Sequence, residues 1–170
     1  MDDFVLPGLD GGMVSLAGCL EGKRGAVIVF WSAICSHCVR YDSYFSTFEQ
    51  RHPEVSLMVV AARIGETAEQ IRRAAAERNL RFPVVLDTAG ATARKWATQQ
   101  TPRAFLVDAR RTLLYRGAVD NFKYPVDPEY VPYLEPALSQ FQKGEPITRT
   151  DTASFGCAIQ SVYYILPRSI

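Results

Sequence analysis

Two stretches of this chain are apolar at nearly every position: Ala26-Val27-Ile28-Val29-Phe30-Trp31 and Val55-Ser56-Leu57-Met58-Val59-Val60-Ala61. A run without alternation leaves no face for water, so both read as central strands of a sheet covered on both sides. Val84-Val85-Leu86 is a third, shorter strand, closed by Asp87-Thr88. Between the first two runs the period changes. Tyr41, Tyr44, Phe45 and Phe48 fall at i, i+3, i+4, i+7, which predicts a helix with an apolar stripe against the sheet. Thr67-Ala68-Glu69-Gln70 opens a second helix with a capping box, running to about Arg78 and stopping at Asn79. A short helix is expected over 91–97 with Trp96 turned inward.

Turn residues divide the rest. Phe4 to Leu16 reads as a hairpin around Asp10-Gly11, with Leu6, Val14 and Leu16 supplying its apolar positions. Ala104-Phe105-Leu106-Val107 and Thr112-Leu113-Leu114-Tyr115 flank the turn 108–111 and predict an antiparallel hairpin. A proline-punctuated stretch from Tyr124 to Pro136 leads into a last helix near 138–143. The tail from Ile147 lacks helical periodicity, and 161–166 could be a strand, a partner-binding segment or a covering piece. The expected division is one domain over 1–144 and a tail over 145–170 that packs on it or stays mobile. Helices interleaved with strands imply a mixed central sheet with helices on both faces, an α/β/α sandwich.

Composition narrows the classes without choosing among them. The 170 residues are 48% hydrophobic and 22% charged, ordinary values for a globular domain with a sizeable core. A net charge of +1 gives no case for nucleic acid or an anionic membrane. No apolar stretch approaches a membrane span, and Met1-Asp2-Asp3 is acidic where a signal peptide would be basic. The expectation is a cytoplasmic protein as the chain stands, or an extracytoplasmic one, with membrane contact, if a leader or anchor preceded it. Four cysteines are too few for a disulfide-stapled scaffold.

The chemistry concentrates in Trp31-Ser32-Ala33-Ile34-Cys35-Ser36-His37-Cys38. A C-x-x-C between a buried strand and a helix puts its first sulfur near unpaired N–H groups and the positive helix end, where a thiolate is stabilised. The second sulfur, one turn on, can close a disulfide with little movement. A structural zinc site would need a second pair or a histidine cluster, and Cys19 and Cys157 are isolated in sequence. A permanently closed disulfide would gain little from so short a loop. Copper held by the two thiolates, with His37 or His52 assisting, stays open as a minority reading. The main expectation is a dithiol–disulfide site with no cofactor and no resident metal.

The leading hairpin "FVLPGLDGGMVSL", the segment "VIVFWSAICSHC" and the later "TPRAFLVDARRTLLYRGAVDN" together resemble the redoxin branch of the thioredoxin fold. Its members are alkyl-hydroperoxide-reductase/thiol-specific-antioxidant-like proteins and membrane-tethered thiol–disulfide oxidoreductases. The closing "FGCAIQ" resembles a tail seen in some of them. The resemblance spans about Phe4 to Phe141, with the C-x-x-C and Thr101-Pro102 as its specific parts. It implies a cis Pro102 lying against the disulfide and a Thr101 backbone offered to substrate; the plain reading of Pro102 is a strand start.

The resemblance also implies the reaction. Reduced Cys35, read as the more exposed sulfur, attacks the disulfide of a protein client, and Cys38 resolves the mixed disulfide; a separate redox partner, not identified by the sequence, resets the pair. Trp31 is read as shielding the site or as core. Ser36 and His37 set its poise, the histidine adding charge or a hydrogen bond to the Cys35 thiolate, or standing in solvent with little effect.

The chain departs from the family in three places. Val29 and Tyr41 stand where many relatives carry a buried acid, leaving water or Asp42 for proton transfer, with Asp42 read as a solvated helix residue. Ser36-His37 replaces Gly-Pro or Glu-Pro between the cysteines. The peroxidase branch has a Thr where this chain has Ser32, which makes a thiol peroxidase the weaker enzyme reading. Cys19 and Cys157 read as small buried residues, as a bonded pair pinning the tail, or, for Cys157, as an extra relay thiol. His52 reads as a helix C-cap, and Arg103, Arg110 and Arg116 as solvated edges, Arg103 near the site.

Overall fold

The computed structural model describes residues 1–160; the segment 161–166, read as a strand, a partner-binding segment or a covering piece, lies outside them. The chain runs β1 (Val5–Pro7), β2 (Met13–Ser15), α1 (Leu16–Leu20), β3 (Gly25–Trp31), α2 (Ser36–Val39), α3 (Asp42–Ser46), α4 (Phe48–Arg51) and β4 (Val55–Ala61). It continues through α5 (Ala68–Glu77), β5 (Val84–Leu86), α6 (Ala91–Lys95), β6 (Gln100–Thr101), β7 (Arg103–Asp108), β8 (Leu113–Gly117), α7 (Leu134–Lys143) and β9 (Cys157–Ala158).

The central sheet has the order β5-β4-β3-β7-β8. β3, β4 and β5 are parallel, while β7 and β8 complete the sheet antiparallel. Every residue of β3 and β4 is buried, as their unalternating composition requires. Successive side chains of a strand point to opposite faces, so β3 feeds two cores. Val27, Val29 and Trp31 join the cysteine pair, Phe45, Phe48, Ile71 and Leu138 on one face. Ala26, Ile28 and Phe30 join Phe4, Leu16, Trp96 and Phe105 on the other. Each buried Val, Leu, Ile or Phe side chain among them contributes about 1.5–3 kcal/mol. β1 and β2 form the predicted hairpin, and α5 carries the reciprocal Thr67–Gln70 capping box.

Three expectations about elements are corrected. The single helix after the cysteines is three short ones. Thr47 turns its hydroxyl back to the carbonyls of Ser43 (3.2 Å) and Tyr44 (3.3 Å), a contact that bends a helix, and Tyr41 has left helical geometry at φ −103°, ψ 5°. The last helix begins at Leu134, not near 138, because Pro136 sits in its first turn, where no N–H is required. α1 was not anticipated; Ser15 caps it by accepting from the Gly18 N–H at 2.9 Å.

The tail returns over the domain. Its segment 150–152 runs beside Arg116, with Arg116 N–H to Thr150 O at 2.9 Å and Thr152 N–H to Arg116 O at 3.1 Å. Thr152 Oγ1 lies 2.8 Å from Tyr115 Oη and accepts from the Ala118 N–H at 3.0 Å. Arg116, expected at a solvated edge, pairs with Asp151 at 2.7 Å. β9 then lies antiparallel on β6, Thr101 opposite Cys157. Gly156 makes this approach possible, since a Cβ there would sit 1.9 Å from the Thr101 carbonyl oxygen. A Gly156→Ala substitution should therefore lift β9 from β6 while the sheet stays folded. Hydrogen exchange checks it: faster exchange at Ile159, whose N–H donates to Gln99 O at 2.9 Å, with β3 and β4 unchanged. Unchanged protection at Ile159 would contradict the close packing.

Candidate active site

β3 ends at Trp31, and the turn 32–34 delivers Cys35 to the N-cap of α2, with Cys38 on the helix itself. Both cysteines have zero exposure, which corrects the expectation of an accessible Cys35. Its cover is the tail, which the sequence left unpatterned. The Thr101–Pro102 peptide is cis, and the Thr101 carbonyl lies 3.3 Å from Cys35 Sγ. Cys157, held opposite Thr101 by the β6–β9 pairing, presents its thiol to the same sulfur.

These neighbours set the charge. Cys35 is pulled down from 9.0 to about 4: the Cys38 thiol donates to its sulfur, burial opposes, and the Cys157 thiol, the Thr101 side chain and the Cys157 backbone add further stabilisation. The Thr101 carbonyl favours the protonated thiol, and the donors outweigh it. Burial pushes Cys38 well above 9.0, reinforced by its hydrogen bond and charge contact with Cys35. Cys157 is raised to about 11, by burial first and then by Cys35. The helix-end stabilisation expected from sequence has little helix behind it, since α2 has four residues; the other thiols replace it.

The remaining expected residues are distributed around this centre. Trp31 is fully buried, 6.2 Å from Phe82 and under the Arg78 guanidinium at 5.1 Å, so it is core beneath the site. Ser36 is exposed. The His37 ring packs on Phe122 at 4.7 Å, its Nδ1 buried without a partner, while its backbone reaches Cys157. Arg103 lies over Phe105 at 5.8 Å. Cys19 belongs to the core on the opposite face of the sheet from Cys157, near Ser56, so the two cannot bond to pin the tail. His52 is the C-cap of α4 and meets Glu135 at 3.3 Å.

Of two acids around the active-site turn, Glu66 escaped the sequence reading and Asp42 corrects it. Glu66 accepts from Ser32 Oγ at 3.0 Å and from the Ile34 N–H at 2.9 Å, and burial raises its carboxyl. Only its place, directly before the Thr67 cap, hinted at this. Asp42 is buried rather than solvated, because Arg78 pairs with it at 3.2 Å. Arg78 also donates to Ala33 O at 3.1 Å.

A mixed sheet with a C-x-x-C beyond its central strand and a cis proline facing the first cysteine defines a thioredoxin-like protein. Within that class the chain belongs to the AhpC/TSA family, whose model matches residues 1–116. It is 26% identical over 106 residues to the thiol-disulfide oxidoreductase ResA of Bacillus thuringiensis subsp. konkukian, covering 62% of this chain and 60% of that protein. The sporulation thiol-disulfide oxidoreductase A of Bacillus subtilis is 24% identical over 110 residues, 63% of this chain and 65% of the relative. The chain thus spans less than two thirds of the length of these relatives. Among solved structures, a hypothetical protein of Sinorhizobium meliloti superposes with a TM-score of 0.81 at 24% identity, covering 93% of this chain and 90% of that one. A thioredoxin-like protein from Aeropyrum pernix gives 0.63 at 19% identity, with 84% and 89% covered.

The thiolate has a measurable consequence. Absorbance at 240 nm should show one cysteine ionising near pH 4, and Cys38→Ala should move that transition upward by removing the largest stabilising donor. Between about pH 4 and 9 the folded chain has released the Cys35 proton while the unfolded chain still binds it, so stability of the reduced protein should rise with pH across that window. Chemical denaturation of the reduced wild type against Cys35→Ala tests the slope; equal slopes would refute the assignment.

Proposed function

We propose that the protein is a thiol–disulfide oxidoreductase that exchanges electrons with protein disulfides or dithiols through Cys35 and Cys38. The observation that carries this reading is the geometry of the pair, Cys35 at the N-cap of α2 with Cys38 in the same turn and the Thr101 element against Cys35 Sγ at 3.3 Å, surroundings that favour a Cys35 thiolate and a Cys38 thiol. Those are the forms a nucleophile and its resolving partner need before exchange begins. The names of the relatives agree with it. In the forward direction the Cys35 thiolate attacks a client disulfide, one client sulfur leaves as a thiol, and Cys38 displaces the other. Two electrons and the Cys38 proton pass from the pair to the client, water supplies the second proton, and a separate dithiol donor resets the pair.

A peroxidase would need groups that polarise a peroxide beside Cys35. Ser32 is instead committed to Glu66, and the neighbours of Cys35 are sulfurs and the Thr101 element. Of the histidines that could assist copper at the two thiolates, His52 is paired with Glu135 and the His37 ring packs on Phe122.

Stabilising the Cys35 thiolate stabilises the reduced form, which makes the disulfide the stronger oxidant. The midpoint potential in glutathione buffers should therefore lie on the oxidising side of thioredoxin's roughly −270 mV, between about −230 and −120 mV. Trp31 fluorescence and mass spectrometry report the couple, and Cys35→Ser should abolish it. A wild type with no reversible two-electron couple would overturn the proposed activity.

A further inference from the structure

Cys157 is the one sulfur near the pair that this mechanism leaves idle, and three observations place it in the chemistry. The β6–β9 ladder fixes its backbone opposite Thr101, with Thr101 Oγ1 donating to Cys157 O at 3.4 Å. Its thiol reaches Cys35 Sγ, so that Cys35 has a thiol neighbour on α2 and another on the tail. Finally, Cys157 is half-buried while Cys35 and Cys38 have no exposure, which makes it the outermost of the three sulfurs. The contacts of Ile159, next after β9, with Gln99 and Ile64, each at 2.9 Å, and of Arg63 with Ala158 O at 3.2 Å keep the thiol over the site.

We propose that Cys157 is a second resolving thiol, which forms a disulfide with Cys35 in competition with Cys38 and so fastens the tail over the site in one oxidised isomer. This rests on the reading of Cys35 as the nucleophile of thiol–disulfide exchange. Once Cys35 has formed a mixed disulfide with a client sulfur, Cys157 attacks Cys35 Sγ. The Cys35–Cys157 bond forms, the bond from Cys35 to the client breaks, and the client thiolate leaves with the proton that Cys157 gives up. Cys38 can then attack Cys35 in turn, forming Cys35–Cys38 and returning Cys157 to its thiol. The second exchange moves no net electrons. The protein as a whole still transfers two electrons to the client disulfide, with one proton from its thiols and the other from water.

Geometry favours this order of events. Cys38 lies at the inner side of Cys35, within the core packed by Trp31 and Phe45, whereas Cys157 stands on the side where the tail meets the surface. A client group entering at Cys35 must displace or pass the tail, and in doing so it meets Cys157 first.

The test uses oxidised glutathione as the client on the full chain. Cys38→Ser is oxidised, quenched in acid, alkylated and peptide-mapped without reduction. The expected product is a peptide pair joined through Cys35 and Cys157, with the glutathione adduct on Cys35 clearing at least tenfold faster than in Cys38→Ser/Cys157→Ser. A lasting glutathione adduct on Cys35 beside a free, alkylated Cys157 would overturn the proposal. Cys157→Ser alone should still close Cys35–Cys38; if it does not, Cys157 holds the site's structure and the exchange role is refuted. A wild type that forms no Cys35 disulfide at all removes the underlying redox reading and this proposal together. One that closes Cys35–Cys38 while Cys38→Ser never joins Cys35 to Cys157 removes this proposal only.

Discussion

An anionic sulfur with no contact with water is the constraint on which the site is organised. Moving a charge out of water is costly unless donors replace the lost hydration. Cys35 meets that demand with soft, close donors: the Cys38 thiol from its own helical turn, the Cys157 thiol from the tail and the Thr101 side chain from β6. Two of these three come from segments far away in sequence. The docking of the tail along Arg116, Thr152 and Tyr115 is therefore part of the active-site chemistry, because it carries one of the donors. Remove the tail, and burial of the thiolate loses both a donor and its cover.

What the sequence made legible was local. β3, β4 and β5 follow from unbroken apolar composition, α5 from its capping box, and the β7–β8 hairpin from two strands around a turn. The C-x-x-C and Thr101-Pro102 were legible as well, since their meaning lies in adjacent residues. The rest depends on contacts between distant positions. A two-residue strand such as β9 has no periodicity to detect, so neither the cover over Cys35 nor the place of Cys157 could be read. Asp42 looked like a solvated helix residue because its partner, Arg78, lies on another helix. The broken helix after the cysteines turns on the hydroxyl of Thr47, a side chain equally compatible with an uninterrupted one.

The departures from the family pattern also find a physical explanation in these contacts. With Val29 and Tyr41 in the places of a buried acid, the carboxylates of this chain hold the residues that flank the pair. Tyr41 donates its hydroxyl to Asp120 at 2.6 Å, and Arg40 pairs with the same Asp120 at 3.4 Å while lying over Phe122 at 5.0 Å. That network continues to His37 through the Phe122 ring. It fixes the outer wall of α2 by packing and ion pairing, and the imidazole between the cysteines is spent on that wall. The poise of Cys35 then falls to the other sulfurs, a different solution from a charged histidine beside the thiolate.

Rigidity is distributed unevenly between the two sides of Cys35, and this decides which side can yield. The turn that carries it is clamped twice: Glu66 holds Ser32 and Ile34, while Arg78 holds the Ala33 carbonyl and is itself fixed by Asp42 and the Trp31 ring. Trp31 in turn ends a strand paired along its length on both edges. Cys157 is secured by a two-residue ladder and a few flanking hydrogen bonds. Local opening follows the weaker set of contacts. The proposed nucleophile is thus mounted on a doubly clamped turn, and its cover on a segment held by fewer contacts. For the proposed exchange, a client would reach Cys35 by separating the tail, while the clamped turn keeps Cys35 beside Cys38.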